Sequence, residues 1–233
     1  MALPVERSDR PRCRSVVFDL DDTLYLEREY VRSGFTAVGD WILSERSMEG
    51  FADRAWRLFE EGARGDIFNK ALVASGCDAD NDLIAEMVAT YRRHRPSIAL
   101  ESDVVPVLEY LQVRHRSALI SDGPSESQRR KVETLELTKW VETIILTSEM
   151  GFGCGKPSPA AFRLVESRLG AESSSCVYVG DNPAKDFVAP KSLGWTTVRV
   201  RRKGGLHEFA PSDDDVDIEI PDLRNLTRAL HIE

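Results

Sequence analysis

An apolar run that ends abruptly in carboxylates constrains this 233-residue chain more than any other feature. Residues 16–24 read VVFDLDDTL, and the β-branched and aromatic residues at the start predict a strand buried on both faces of a parallel sheet. Ligands of open α/β sheets bind at the carboxyl ends of strands, where Asp19 and Asp21 would point to the same side. Two carboxylates so close repel each other unless a cation lies between them or one is protonated, so the run indicates a chemical site.

The rest of the chain divides into a helical stretch and an alternating one. Apolar residues recur at spacings of three and four through most of residues 26–95, which predicts helices over 30–44, 51–61, 67–75 and 82–95. From residue 97 onward, strands are predicted at 117–120, 143–146, 176–179, 196–200 and 217–220, between helices at 104–114, 125–137, 159–169, 184–193 and 223–230. This order predicts an α/β fold with a doubly wound, mostly parallel sheet and an inserted helical domain.

Four short motifs follow one another along the chain, each where a predicted strand ends or a helix begins. They are DLDDT at 19–23, ALISDG at 118–123, GKP at 155–157 and VGDNPAKD at 179–186. In this order they resemble the motifs of the haloacid dehalogenase-like (HAD) hydrolases, most of which are magnesium-dependent phosphatases. The resemblance extends from residue 15 to the last predicted strand. It implies a Rossmann-like core, and the helical stretch is similar in position and length to the C1 cap that closes over the site in such enzymes.

We therefore expect three segments in the chain. Residues 1–14 form a flexible tail, residues 15–25 and 97–233 form the HAD core, and residues 26–96 form the helical C1 cap. The tail contains two prolines and four arginines but no apolar core of a signal peptide.

The two carboxylates at the end of the first strand receive different roles. Asp19 is the candidate nucleophile, because a carboxylate attacks phosphorus readily once a cation neutralises the phosphate, giving an aspartyl-phosphate. Asp21 is the candidate general acid and base, and the resemblance implies that its backbone carbonyl also reaches the metal. Asp22 points to the opposite side and is expected to bond within its own loop, and Thr23 is expected to be structural.

The second and third motifs supply candidate phosphate-binding groups. The Ser121 hydroxyl and the backbone N–H groups of Asp122 and Gly123 can hold phosphoryl oxygens. Asp122 is a departure, since family members often have Asn there, and we expect its side chain to point away from the phosphate. Lys156 is expected to offset the charge of Asp19 and of the bound phosphate.

The fourth motif supplies candidate metal ligands. Asp181 follows a predicted strand and Asp186 lies five residues later, in the first turn of a predicted helix. With Asp19 and Asp21 they form the predicted Mg²⁺ site, because Mg²⁺ prefers hard oxygen ligands. Asp186 could bind directly or through water. The same residues could also serve as helix-capping groups, and an N-cap role is equally open for Asn182.

Composition excludes several classes of partner. The net charge of −8 disfavours a dedicated nucleic-acid partner, and no apolar stretch reaches the ~20 residues of a membrane span. The four cysteines are widely scattered and suggest neither a zinc site nor a disulfide framework, so we expect a reducing cytoplasm. The predicted partner is a small phosphorylated substrate, and the oligomeric state stays undetermined.

The motifs together predict a Mg²⁺-dependent phosphatase that hydrolyses a small phosphorylated metabolite, of the sugar phosphate or nucleotide class. A phosphomutase or a haloacid dehalogenase on the same fold is an alternative, although dehalogenases need no metal and lack a carboxylate at the position of Asp21. A non-catalytic binding module is another alternative. Candidate substrate-lining residues flank the joints and loops of the cap, and each could equally be surface or core: Tyr25, Arg28, Arg32, Arg64 and Phe68.

Overall fold

A computed structural model describes residues 15–232 of the chain. The predicted tail and residue 233 lie outside these residues. The sheet has the strand order β3-β2-β1-β4-β5-β6, and every pair in it is parallel. Its strands are β1 Ser15–Phe18, β2 Arg116–Ser121, β3 Thr143–Leu146, β4 Cys176–Gly180, β5 Thr196–Val200 and β6 Ile218–Ile220. The predicted doubly wound α/β fold is thereby confirmed.

The helices lie between the strands in the order the sequence predicts. They are α1 Glu27–Arg46, α2 Phe51–Glu60, α3 Ile67–Val73, α4 Asn81–Arg93, α5 Val104–Gln112, α6 Ser125–Thr134, α7 Ala160–Leu169, α8 Val188–Ser192 and α9 Leu226–Ala229. The predicted closing helix is divided, because a 3₁₀ turn over Leu223–Asn225 precedes α9. Within residues 15–232, no helix is both long enough and apolar enough to cross a bilayer.

Strand β1 lies at the centre of the sheet and at the point where the strand order reverses. It pairs with β2 on one side and β4 on the other, so that Phe18 lies beside both Leu119 and Val179. All four residues of β1 are buried. Successive side chains face opposite layers: Val16 and Phe18 pack into one hydrophobic core and Val17 into the other. Ligands of such sheets bind at this reversal, where the chain leaves β1.

Helices α1–α4 form a helical insertion between β1 and β2, with a hydrophobic cluster of its own. Phe35, Ile42, Phe51 and Met87 are buried in that cluster. The two connections to the sheet run side by side, since the backbone N–H of Glu101 donates to the carbonyl of Leu24 at 3.0 Å. The insertion therefore packs as a separate layer joined to the sheet by two adjacent segments.

Helix α8 is shorter than the sequence predicts. The predicted helix spans 184–193, but α8 begins at Val188, so Asp186 lies in the preceding turn and not in a first helical turn. Pro190 gives the reason, because it has no N–H to donate to the carbonyl of Asp186 and its ring would clash with that carbonyl in a longer helix. Proline is tolerated in the first turn, where α8 places it.

Candidate active site

Asp19 lies at the carboxyl end of β1, where the pairing with β4 continues for one more residue. Its backbone N–H donates to the carbonyl of Val179 at 2.8 Å, and the residue is 3% exposed. Burial raises the pKa of Asp19 to about 6, and this effect outweighs the attraction of the neighbouring Lys156. The carboxylate is thus held at the reversal point of the sheet in an environment that disfavours its charge.

Lys156 places a buried ammonium among these carboxylates. Its Nζ forms ion pairs with Asp19 and, at 2.7 Å, with Asp186, and it lies 3.0 Å from the hydroxyl oxygen of Tyr178. Burial alone would lower the pKa of Lys156, but the two carboxylates outweigh it and raise the pKa well above its usual range. The ammonium therefore stays charged and neutralises part of the local negative charge.

The Asp122 carboxylate holds the turn that carries Lys156. It accepts the backbone N–H of Lys156 at 3.2 and 3.3 Å and the hydroxyl of Thr147 at 2.6 Å. The side chain thus supports the GKP turn, which leaves the backbone N–H as the group of Asp122 that can face a phosphate. The following Gly123 has a φ of +122°, a conformation that disfavours any residue with a side chain.

Three carboxylates meet beside Lys156. Asp19, Asp181 and Asp186 each offer an oxygen, and these oxygens lie within 4.8 Å of one another. Asp181 is buried, with only 6% of the residue exposed, and yet its carboxylate accepts no hydrogen bond from residues 15–232. Its pKa is raised well above the usual range by burial and by the charges of Asp186 and Asp19. Uncompensated buried carboxylates of this kind fit a divalent cation.

Gly180 and Asn182 determine where the Asp186 side chain lies. A Cβ atom at Gly180 would lie 2.7 Å from Asp186 Oδ2, so only glycine lets the carboxylate approach the strand end this closely. The backbone N–H of Asn182 donates to the same oxygen at 2.9 Å. The Asn182 side chain accepts the N–H of Ala184 at 3.0 Å, a turn-capping contact.

The Asp21 carboxylate is turned away from this group. It forms an ion pair with Lys131 at 2.6 Å, accepts the hydroxyl of Tyr25, and lies 3.4 Å from the amide nitrogen of Gln128. Burial would raise the pKa of Asp21, but Lys131 and the hydrogen bond from Tyr25 outweigh it and lower the pKa. Gln128 also accepts the hydroxyl of Ser121 at 2.8 Å, so one amide bridges the two predicted site residues.

The family model of haloacid dehalogenase-like hydrolases matches residues 13–194. The chain belongs to the haloacid dehalogenase-like hydrolases. The family predicted from the four motifs is therefore confirmed, and the protein is an enzyme of the hydrolase class.

Curated relatives and solved structures agree with this membership. A glyceraldehyde 3-phosphate phosphatase from Methanopyrus kandleri is 30% identical over 91% of this chain and 95% of its own length. The structure of a HAD phosphatase from Thermococcus onnurineus is 25% identical, with a TM-score of 0.64 over 94% of this chain and 99% of that one. A 2-haloacid dehalogenase from Pseudomonas syringae pv. Tomato is also 25% identical, with a TM-score of 0.66 over 94% and 98%.

Several residues of this HAD hydrolase site were not predicted from the sequence. Gln128 and Lys131 contact Ser121 and Asp21 from helix α6, and Tyr178 contacts Lys156 from within β4. The sequence does contain a pattern that could have indicated Gln128 and Lys131. Residues three apart lie on the same face of a helix, and these two polar residues share the face of α6 that also buries Val132. Tyr178 carries no such signal, since an aromatic residue in a strand reads as core.

The five candidate substrate-lining residues fall into two groups according to what their side chains contact. Arg64 and Phe68 line a cavity within the helical insertion, and Tyr25 contacts Asp21 as described. Arg28 instead pairs with the exposed Glu60 at 3.0 Å, and Arg32 lies over the ring of Trp56, 5.0 Å from its centroid. Asp22 bonds its own surroundings, as expected: it accepts the N–H groups of Glu27 at 2.8 Å and of Leu206 at 2.7 Å.

Proposed function

We propose that this hydrolase is a Mg²⁺-dependent phosphatase that acts on a small phosphorylated metabolite, of the sugar phosphate or nucleotide class, through an aspartyl-phosphate on Asp19. One observation carries the proposal: the buried Asp19 carboxylate lies within 4.8 Å of two further carboxylates and in contact with the Lys156 ammonium. Such a group can hold a cation against a phosphate while presenting a carboxylate nucleophile. The relative named glyceraldehyde 3-phosphate phosphatase supports this choice.

The donor set suits Mg²⁺. Carboxylate oxygens of Asp19 and Asp181 would bind the ion, with the backbone carbonyl of Asp21 as a further ligand. Both oxygens of Asp186 already accept hydrogen bonds, from Lys156 and from the N–H of Asn182, which favours contact through water. When bound, the ion neutralises charge on the phosphoryl oxygens.

The remaining chemistry is assigned to side chains of this chain. An Asp19 oxygen attacks phosphorus, and the bond to the leaving oxygen breaks as Asp21 donates its proton to that oxygen. Asp21 then takes a proton from the water that hydrolyses the aspartyl-phosphate. For both steps Asp21 has to turn from Lys131 toward the site. Ser121 and the N–H groups that follow it hold the phosphoryl oxygens, while Lys156 offsets their charge.

We further propose that the helical insertion acts as the cap. The cap comprises residues 26–96, and residues 15–25 and 97–233 form the core. Its two adjacent connections allow it to close over the sheet edge, and closure excludes water from the reacting phosphate.

The test is phosphate release from 4-nitrophenyl phosphate with Mg²⁺, with EDTA, and with the Asp19→Asn variant. We expect EDTA to abolish release and Asp19→Asn to lower kcat at least about a thousandfold, since it removes the nucleophile. Asp40→Asn, a change at an exposed carboxylate of α1, is the matched control and should retain full activity. Full activity of Asp19→Asn would refute the assignment.

The same assay separates the alternatives. Halide release from 2-haloacids that persists in EDTA would favour a dehalogenase, the activity named for one solved neighbour. Formation of an isomer in place of free phosphate from a sugar phosphate would indicate a phosphomutase. Binding of Mg²⁺ and phosphate analogues without any turnover would indicate a binding module.

A further inference from the structure

The helical insertion contains a cavity that has no role in the chemistry proposed above. A cavity of about 260 Å³ lies among its four helices and is lined mainly by apolar side chains. Each helix contributes one aromatic ring to the wall, and these rings are Phe35 of α1, Phe59 of α2, Phe68 of α3 and Tyr91 of α4. The Phe35 ring lies at the centre of the group, with centroids 6.3, 6.0 and 5.9 Å from those of Phe59, Phe68 and Tyr91.

Two polar side chains line this apolar space without a hydrogen-bond partner in the described part of the chain. The Glu27 carboxylate and the Asn69 amide both line the cavity, and neither forms a side-chain hydrogen bond or ion pair with any residue of the described part of the chain. Burial and the charge of Asp21 raise the pKa of Glu27 to about 7, consistent with a carboxylate that lacks a donor. Arg64 does not pair with it, because its guanidinium lies over the Phe59 ring and donates to the carbonyl of Phe59 at 2.9 Å.

Hydrogen bonds link two residues of the cavity wall to the loop that carries Asp19 and Asp21. Asp22 follows Asp21 directly, and its carboxylate accepts the N–H groups of Glu27 and Leu206. Both of these residues line the cavity, one from the cap and one from the core. A single carboxylate therefore fixes the cap and core edges of the cavity to the catalytic loop. The Glu27 carboxylate also lies close enough to Asp21 for that charge to raise its pKa, so this wall of the cavity lies near the residue proposed to protonate the leaving group.

Volume and wall chemistry restrict what that other end can be. A liquid water occupies about 30 Å³, so the cavity has room for roughly eight or nine waters, or for one planar ring with its substituents. Hydroxyl groups of a sugar would lose their hydration against apolar walls, which is costly without compensating hydrogen bonds. A flat ring instead stacks on or meets the edges of the aromatic walls.

We propose that this cap cavity binds the leaving group of the substrate as a planar ring bearing an N–H or O–H donor, with Glu27 accepting that donor and Phe35, Phe59, Phe68 and Tyr91 packing on the ring. The inference rests on the proposed phosphatase function and narrows its substrate class. Two classes of substrate carry such a ring. One is a nucleoside monophosphate, in which the ring is the base, and the other is the phosphate ester of an aromatic alcohol.

The experiment compares matched esters with Mg²⁺ and wild-type enzyme. Cytidine 5′-monophosphate and ribose 5-phosphate differ by the base, and 3-hydroxybenzyl and benzyl phosphate differ by one O–H donor. We expect kcat/KM to be at least about tenfold higher for the ring-bearing nucleotide and for the donor-bearing benzyl ester, from stacking and from a hydrogen bond to a carboxylate. A nucleotide preferred over both benzyl esters identifies the first source, and the reverse order identifies the second.

Variants assign the effect to the cavity. Glu27→Gln should lower kcat/KM roughly tenfold for 3-hydroxybenzyl phosphate, mainly through KM, and should lower it much less for benzyl phosphate, so that the ratio between the two esters falls. Phe68→Leu should lower kcat/KM for all ring-bearing esters more than for ribose 5-phosphate. Glu29→Gln, the other acidic residue in the first turn of α1, is the matched control and should alter neither ratio.

Two kinds of failure are distinguishable. Phosphate release from none of these esters would contradict the proposed phosphatase itself. Efficient hydrolysis of ribose 5-phosphate, with no gain from the ring and no response to Glu27→Gln, would overturn the cavity assignment and leave the phosphatase intact.

Discussion

Buried carboxylates are arranged in opposite ways at the sheet edge and in the cap cavity. At the sheet edge, Asp19 and Asp186 are paired with the fully buried Lys156, and the surplus negative charge fits a cation. In the helical insertion, the Glu27 carboxylate lines an apolar cavity and accepts no hydrogen bond from residues 15–232, and its pKa is raised to about 7. The carboxylates and the ammonium at the sheet edge are suited to bind a cation and a phosphate. The Glu27 carboxylate in the cavity is suited to accept a hydrogen bond from a ligand. The proposed reaction site and the proposed substrate-binding cavity thus lie in two different parts of the fold, the sheet edge and the helical insertion.

Removing Lys156 should break the charge balance of the sheet edge most severely. Lys156→Met leaves three buried carboxylates without their ammonium, so we expect the metal-free enzyme to lose about 3–5 kcal/mol of unfolding free energy. Added Mg²⁺ should restore part of this loss, because a bound cation compensates the same carboxylates. Urea unfolding with and without Mg²⁺ measures both effects.

Lys185→Met is the matched control for that change. The Lys185 side chain is 35% exposed, against 0% for Lys156, and lies 4.0 Å from Asp122. It should cost less than about 1 kcal/mol and show no Mg²⁺ rescue. Equal losses in the two lysine variants would contradict the view that the sheet edge depends on one buried ammonium.

Asp22 joins the two regions, and its removal should loosen that connection. Asp22→Ala leaves the N–H groups of Glu27 and Leu206 without an acceptor, for an expected loss of about 2 kcal/mol. Asp22→Asn should cost roughly half as much, because Asn keeps one acceptor oxygen and tolerates the φ of +54° at this position. Thermal unfolding of the two variants checks the order; a larger loss for Asn would show that the connection lies elsewhere.

Lys131 holds the candidate general acid outside the carboxylate group. It lowers the pKa of Asp21, so Lys131→Met should raise that pKa and extend the protonated, proton-donating form to higher pH. We expect the falling limb of the pH profile for ribose 5-phosphate to move to higher pH. The profile for 4-nitrophenyl phosphate should not move, since its leaving group needs no proton. Equal shifts for both esters would argue against Asp21 as the acid.

Glu27 should give an effect on stability that depends on pH. Its folded-state pKa of about 7 lies above the ordinary value of 4.5, so the folded protein binds the proton more tightly than the unfolded chain. The wild type therefore loses stability as pH rises from about 4.5 through 7, by up to about 3 kcal/mol in total. Glu27→Gln should lack this loss and gain relative stability at pH 8 but not at pH 4. A stability difference that is constant with pH would show that Glu27 has a donor.

Much of the site was predictable because its residues occupy fixed positions relative to strand ends. Asp19, Ser121 and Asp181 each follow or end a strand that is neighbour to another in the sheet, so parallel pairing brings them together. Lys156 was predictable only through its motif, since a lysine in a turn carries no positional constraint of its own. The length of α8 was predicted wrongly, because the effect of Pro190 on the carbonyl of Asp186 was not weighed.

The sequence by itself determined the family, the sheet and the set of carboxylates, because strand periodicity and short motifs are local properties of the chain. Only the tertiary structure decided that Asp21 turns to Lys131 and Gln128, which are 110 and 107 positions away. The same holds for the cap cavity, whose four rings come from four different helices. Such contacts depend on how amphipathic helices pack against one another and against the sheet, and helical spacing specifies a buried face without specifying its partner.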